Sequence, residues 1–68
     1  MGNIHILQYT DPATQRTEIA VNAYDIIGFT SHDNLYYVIV GSNDASWAEV
    51  SKECYEWMLE QWCEIMTK

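Results

Sequence analysis

Ser46-Trp47-Ala48-Glu49-Val50-Ser51-Lys52-Glu53-Cys54-Tyr55-Glu56-Trp57-Met58-Leu59-Glu60-Gln61-Trp62-Cys63-Glu64-Ile65-Met66-Thr67-Lys68 is the stretch whose reading decides the fold. Wound as one helix from Trp47 to Met66, at about 100° per residue, its side chains separate by type around the axis. Trp47, Val50, Cys54, Met58 and Ile65 fall on one side. Glu49, Glu53, Glu56, Glu60 and Glu64 fall within an arc of about 80° on the other. Ser46-Trp47-Ala48-Glu49 has the form of a capping box, in which the serine hydroxyl and the glutamate carboxylate each satisfy a free backbone N–H of the first turn. Asp44 suits the positive end of the helix dipole. A competing reading makes Ala45 to Val50 a fifth strand and Ser51 the cap of a shorter helix. The long helix is preferred because only it brings Glu49 into register with the other four glutamates.

Outward from this stretch, the preceding residues alternate as strands do. Asn3 to Tyr9 puts Ile4 and Ile6 on one side and His5, Leu7 and Tyr9 on the other. Thr10-Asp11-Pro12-Ala13-Thr14 is a turn, since Asp can bond backbone ahead of it and Pro has no donor for a ladder. Thr17 to Ala23 follows with Ile19, Val21 and Ala23 inward and Glu18, Ala20 and Asn22 outward. Asn22-Ala23-Tyr24-Asp25 is either a turn or the start of the next strand. Ile26 to Ser31 is the third strand, with Ile27 and Phe29 on one face and Gly28 marking a bulge or a close approach. His32-Asp33-Asn34 is a turn, and Leu35 to Val40 is rich in the residues that suit a pleated sheet. Gly41-Ser42-Asn43-Asp44 leads into the helix.

Connections this short favour an antiparallel meander over parallel crossovers. The expectation is an α+β fold, β-β-β-β-α, in which a four-stranded antiparallel meander (residues 1–44) carries one C-terminal acidic helix (residues 45–68) on one face. Sixty-eight residues hold one domain.

Composition narrows the function classes. Ten acids against Arg16, Lys52 and Lys68 give a formal net charge of -7, so the chain would be repelled by nucleic acid and by anionic lipid. A basic protein surface is its electrostatic complement. The start, Met1-Gly2-Asn3-Ile4-His5, lacks the form of a secretory signal, and the myristoylation pattern fails at Ile6. No run approaches the roughly 20 apolar residues of a membrane span. A cytoplasmic protein without membrane or direct nucleic-acid contact is expected, in the host cytoplasm if the chain is phage-encoded.

Chemical candidates are few. Cys54 and Cys63 are roughly 13 Å apart along a helix and on nearly opposite faces, too far for a disulfide within it. Cys54 reads as a small buried hydrophobe and Cys63 as a residue at the edge or in an interface. His5 and His32 lack zinc-ligand spacing with either cysteine, so no metal is expected. His32 beside Asp33 reads as a turn feature. No phosphate-binding glycine loop, GxSxG, HExxH or CxxC is present, and neither a catalytic residue nor a cofactor is expected.

The glutamates stand three or four residues apart with only Lys52 to relieve them, whereas a face selected for solubility alone normally mixes signs. Glu49, Glu53, Glu56, Glu60 and Glu64 are either a solvated helix face or the candidate partner-binding residues, in the second case with Trp57 at their flank as an aromatic anchor. Five charges over about 21 Å are sparser than a phosphate backbone, which argues against full DNA mimicry. A second apolar row, Tyr55, Leu59, Trp62 and Met66, exceeds what one sheet face covers. Either the sheet wraps the helix or this row is a homodimer contact. In size, acidity and sheet-plus-helix plan the chain resembles phage-encoded inhibitors of host defence, anti-CRISPR proteins and DNA mimics among them, and also immunity proteins. This likeness is compositional and implies a protein that binds and blocks rather than catalyses.

Overall fold

The computed structural model describes residues 4–41 and 44–67. The expected strand start at Asn3, the Ser42-Asn43 part of the last turn and the final Lys68 lie outside the described residues. The chain is α+β, and the described residues form five strands and one α-helix: β1 (Ile6–Thr10), β2 (Thr17–Asn22), β3 (Ile26–His32), β4 (Leu35–Val40), β5 (Ser46–Val50) and α1 (Lys52–Met66).

Two expectations are corrected. The strands do not form one four-stranded meander: β1 and β2 make a two-stranded antiparallel sheet, and β3, β4 and β5 make a three-stranded one with β4 central. The division falls at Asn22. Its side-chain oxygen accepts from the N–H groups of His5 and Tyr24, both at 3.1 Å, and nucleates a single 3-10 turn over Ala23–Asp25. That turn separates β2 from β3 where a tight hairpin would have paired them. Fully buried Ala23 donates its N–H to His5 O at 2.8 Å, so the turn is also tied to the start of the first hairpin.

The helix is also shorter than expected. It begins at Lys52, not Trp47, and residues 46–50 pair with β4 in the register Tyr36↔Val50, Val38↔Ala48 and Val40↔Ser46. The capping box at Ser46 is therefore not used. Ser51 is the N-cap, its hydroxyl accepting from Cys54 N–H at 3.2 Å. Alternation in β5 sends Val50 into the core and leaves Trp47, expected on the buried stripe, 61% exposed on the opposite sheet face. There it stacks on Tyr37, ring centroids 5.6 Å apart.

Local chemistry explains the remaining turns. Asp11 Oδ1 accepts from Ala13 N–H at 2.9 Å and Asp11 O accepts from Gln15 N–H at 2.7 Å, which closes the β1–β2 loop around Pro12. Asp33 and Asn34 both have positive φ, 51° and 66°. This is the two-residue hairpin turn whose twist matches the flanking strands, and Asp and Asn tolerate it best after Gly. His32 pairs with Asp33 at 3.0 Å on this exposed turn. Gly28 does mark a bulge, since the β3–β4 register shifts between Ile26 and Gly28. The extra residue changes which side chains face in: Ile26 is buried and Phe29 packs on the core, while Ile27, expected beside Phe29, is 53% exposed.

Every element contributes to one core: Leu7, Ile19, Ala23, Ile26, Val38, Val50, Cys54 and Met58. The helix packs on both sheets, against β1 and β4. Among the described residues no helix is long and apolar enough to cross a membrane.

Candidate functional site

The helix takes its direction from a contact that bridges distant parts of the chain. Glu18 on β2 accepts from the Ser51 backbone N–H with one carboxylate oxygen and from the Ser51 hydroxyl, at 3.0 Å, with the other. The same hydroxyl caps Cys54 N–H. A carboxylate thus sits at the positive end of the helix and fixes its first turn to the first hairpin.

From this start, Glu53, Glu56, Glu60 and Glu64 all project into solvent, within an arc of about 80° and opposite the buried Met58. Glu49 is also exposed, but lies on β5 and is not part of this stripe. Among the described residues the sole ion pair within 4.0 Å is His32 with Asp33, so none of the described cations, Lys52 included, lies against the four helix carboxylates. Repulsion between neighbours one turn apart is left in place, at a few tenths of a kcal/mol per pair.

Trp57 is half-buried at the flank of this stripe, its ring packed on Tyr9 of β1 with centroids 5.7 Å apart and planes at 55°. The Tyr9 hydroxyl is pushed above its ordinary value by burial first, then by Asp11, Cys54, Glu53 and Glu18. Sequence reasoning did not single out Tyr9 for this surface, because nothing local says which helix flank the hairpin meets. An aromatic pair at the flank of a carboxylate stripe can hold a lysine or arginine head by charge and by the ring face.

The second apolar row is largely engaged within the chain. Tyr55 packs edge-on to Phe29 at 5.8 Å and on Tyr36 at 5.1 Å, and Trp62 meets Phe29 at 5.5 Å. Leu59 is half-buried and Met66 is 39% exposed. The Trp62 indole N–H is buried and finds no acceptor among the described residues, which costs on the order of 1 to 3 kcal/mol. The sheets therefore straddle the helix, and the exposed end of the row is at Met66.

The two thiols sit in opposite environments. Cys54 is fully buried, and burial, helped by the Glu18 charge, pushes its thiol up to about 12. Cys63 is exposed. Titration of the native protein with a thiol reagent near neutral pH is expected to modify Cys63 and spare Cys54 until the chain unfolds. Alkali acts through the same residue: the unfolded thiol ionises near 9 and the folded one near 12, so the unfolded chain loses its proton first. Stability contributed by the buried neutral thiol is whole below about pH 9 and declines as pH rises toward 12. Equal modification rates for both cysteines in the folded protein would contradict this placement.

Among the described residues no three His, Cys, Asp or Glu side chains gather as a metal site. No family model matches the chain, and no curated protein or solved structure matches it either.

Proposed function

We propose that this chain is a small acidic binding module that acts by covering a basic surface of a partner protein. The observation that supports it is the run of four exposed helix carboxylates, none paired with a cation among the described residues, beside the Trp57–Tyr9 pair. Glu53, Glu56, Glu60 and Glu64 supply the charge and Trp57 the aromatic anchor, while Glu49 stands apart on the sheet and is not used. Four charges over about 16 Å of helix are spaced more widely than backbone phosphates, which favours blocking a basic groove over tracing the path of a nucleic-acid strand. A groove that ordinarily handles nucleic acid suits such a blocker, and this is the setting in which phage inhibitors and DNA mimics work. Self-association through Tyr55, Leu59, Trp62 and Met66 is the second reading, and it draws on the exposed Met66.

Replacing Glu53, Glu56 and Glu60 together by Gln keeps shape and removes charge. With the partner that the wild-type chain retains from its host, the association rate is expected to fall by about tenfold or more at low salt. At about 0.5 M salt, where the screening length is only a few Å, the two proteins should associate at similar rates. Unchanged affinity and rate at both salt concentrations would reject the helix face as the contact.

A further inference from the structure

Glu49, which the helix stripe leaves out, belongs to a different surface. Alternation along β4 puts Leu35, Tyr37 and Ile39 on the opposite side of the three-stranded sheet from Tyr36, Val38 and Val40, which form the core or pack against it. Cross-strand partners share a face, so the register Ile39↔Trp47 and Tyr37↔Glu49 adds Trp47 and Glu49 to that outer side, while Ala48 and Val50 turn inward. On β3, Gly28 stands opposite Ile39. A Cβ placed on Gly28 would meet the tip of the Ile39 side chain at 3.8 Å and nothing else among the described residues, so no other element packs over the sheet at that point. Glu49 lies directly across from Tyr37 and two residues from Trp47, so one exposed carboxylate borders two rings whose centroids are 5.6 Å apart and whose planes meet at 57°. Among the described residues no cation pairs with Glu49, and β3, β4 and β5 contain neither Lys nor Arg.

We infer that this outer sheet face receives an arginine of a partner protein, its guanidinium laid on the Trp47 and Tyr37 rings and forked onto the Glu49 carboxylate. Each feature answers one part of that side chain. The ring faces attract the cation, the carboxylate accepts two parallel N–H groups, and Ile39 and Leu35 continue the apolar surface under the aliphatic stem. Arginine suits the site better than lysine, because a planar, weakly hydrated guanidinium can stack and bond at once. Charge selects the occupant: a second copy seated face to face would set its own Glu49 against this one, with neither Lys nor Arg in either sheet to compensate and a net charge of -7 on each chain. Because α1 packs on the other side of this sheet, the contact is independent of the helix stripe and would give the module a second point of attachment.

The test is an NMR titration of the whole chain, resolved at backbone amides and indole N–H groups, with a capped hexapeptide of alternating Arg and Val. Saturable shifts are expected at the Trp47 indole and at the Tyr37 and Glu49 amides, and they should persist when Glu53, Glu56 and Glu60 are replaced by Gln. The counterpart with Lys for Arg should bind at least about twofold more weakly. Trp47→Leu and Glu49→Gln, both at exposed positions outside the core, should each weaken binding about twofold to fivefold. Shifts confined to Trp57 and to Glu53 through Glu64 would overturn the sheet contact while leaving the helix reading intact. Equal binding of the two peptides would overturn it too, as would undiminished binding by both variants or no shift up to about millimolar peptide. Movement of the Trp47 signals with protein concentration alone would assign the face to a second copy and equally defeat the inference.

Discussion

Met58→Ala is expected to lower the melting temperature by about 10 °C or more and to leave a visible unfolded population at physiological temperature. Met58 is fully buried and lies in the one core to which all six elements contribute. Truncating a buried Met to Ala costs about 2 to 5 kcal/mol, the transfer free energy of the lost atoms plus the cavity they leave. A domain of this length has only about 3 to 10 kcal/mol in total, and each kcal/mol corresponds to about 4 to 8 °C. The cavity would open in the shared core beneath a helix that packs on β1 and β4, so no single element can settle into it without leaving another. Met58→Leu, which nearly conserves volume, should cost less than about 1.5 kcal/mol. Thermal and urea denaturation followed by circular dichroism read both. A Met58→Ala melting point within about 2 °C of wild type would show that the helix does not depend on this contact.

Phe29→Ala should cost about 2 to 3 kcal/mol, below the value for a fully buried Phe because Phe29 is only half-buried. Its ring is the common neighbour of Tyr55 and Trp62, at 5.8 and 5.5 Å. Edge-on aromatic pairs add about 0.5 to 1.5 kcal/mol each beyond the area they bury. Phe29→Leu keeps most of the burial and loses both ring contacts, so it isolates that part of the loss. The Phe29→Ala loss should appear together with a red shift in tryptophan emission, as water reaches the indole of Trp62. If Phe29→Ala denatured within about 0.5 kcal/mol of wild type, the aromatic row would not be held by β3, and the apolar flank of the helix would lack its intramolecular cover.

Much of this architecture is written locally. Leu35 to Val40 forms a strand because β-branched and aromatic residues run without interruption between two turn signals. Of the inward set Ile19, Val21 and Ala23 that alternation gives, Ile19 and Ala23 are buried and Val21 packs half-buried against the core. Asp33-Asn34 specifies its hairpin because these side chains tolerate positive φ. Asp11 closes the first loop through its own carboxylate. The four carboxylates of the candidate surface were also legible, because between Lys52 and Met66 the sequence has only the helical period.

Residues 46–50 obey two periods at once. Trp47 and Val50 stand three apart, as on a helix face, while Ala48 and Val50 stand two apart, as on a strand, and five residues are too few for either pattern to exclude the other. Tertiary structure decided between them. A strand there gives β4 a second partner from Tyr36 to Val40 and satisfies its backbone groups there, and Glu18, thirty-three residues away, holds Ser51 at the point where the strand ends and the helix begins. Neither contribution is local, so neither leaves a trace in the composition of the segment itself. For the same reason Glu49 belongs by type with the other glutamates but by position with the sheet, and the Tyr9–Trp57 pair was decided by which flank of the helix the first hairpin reaches.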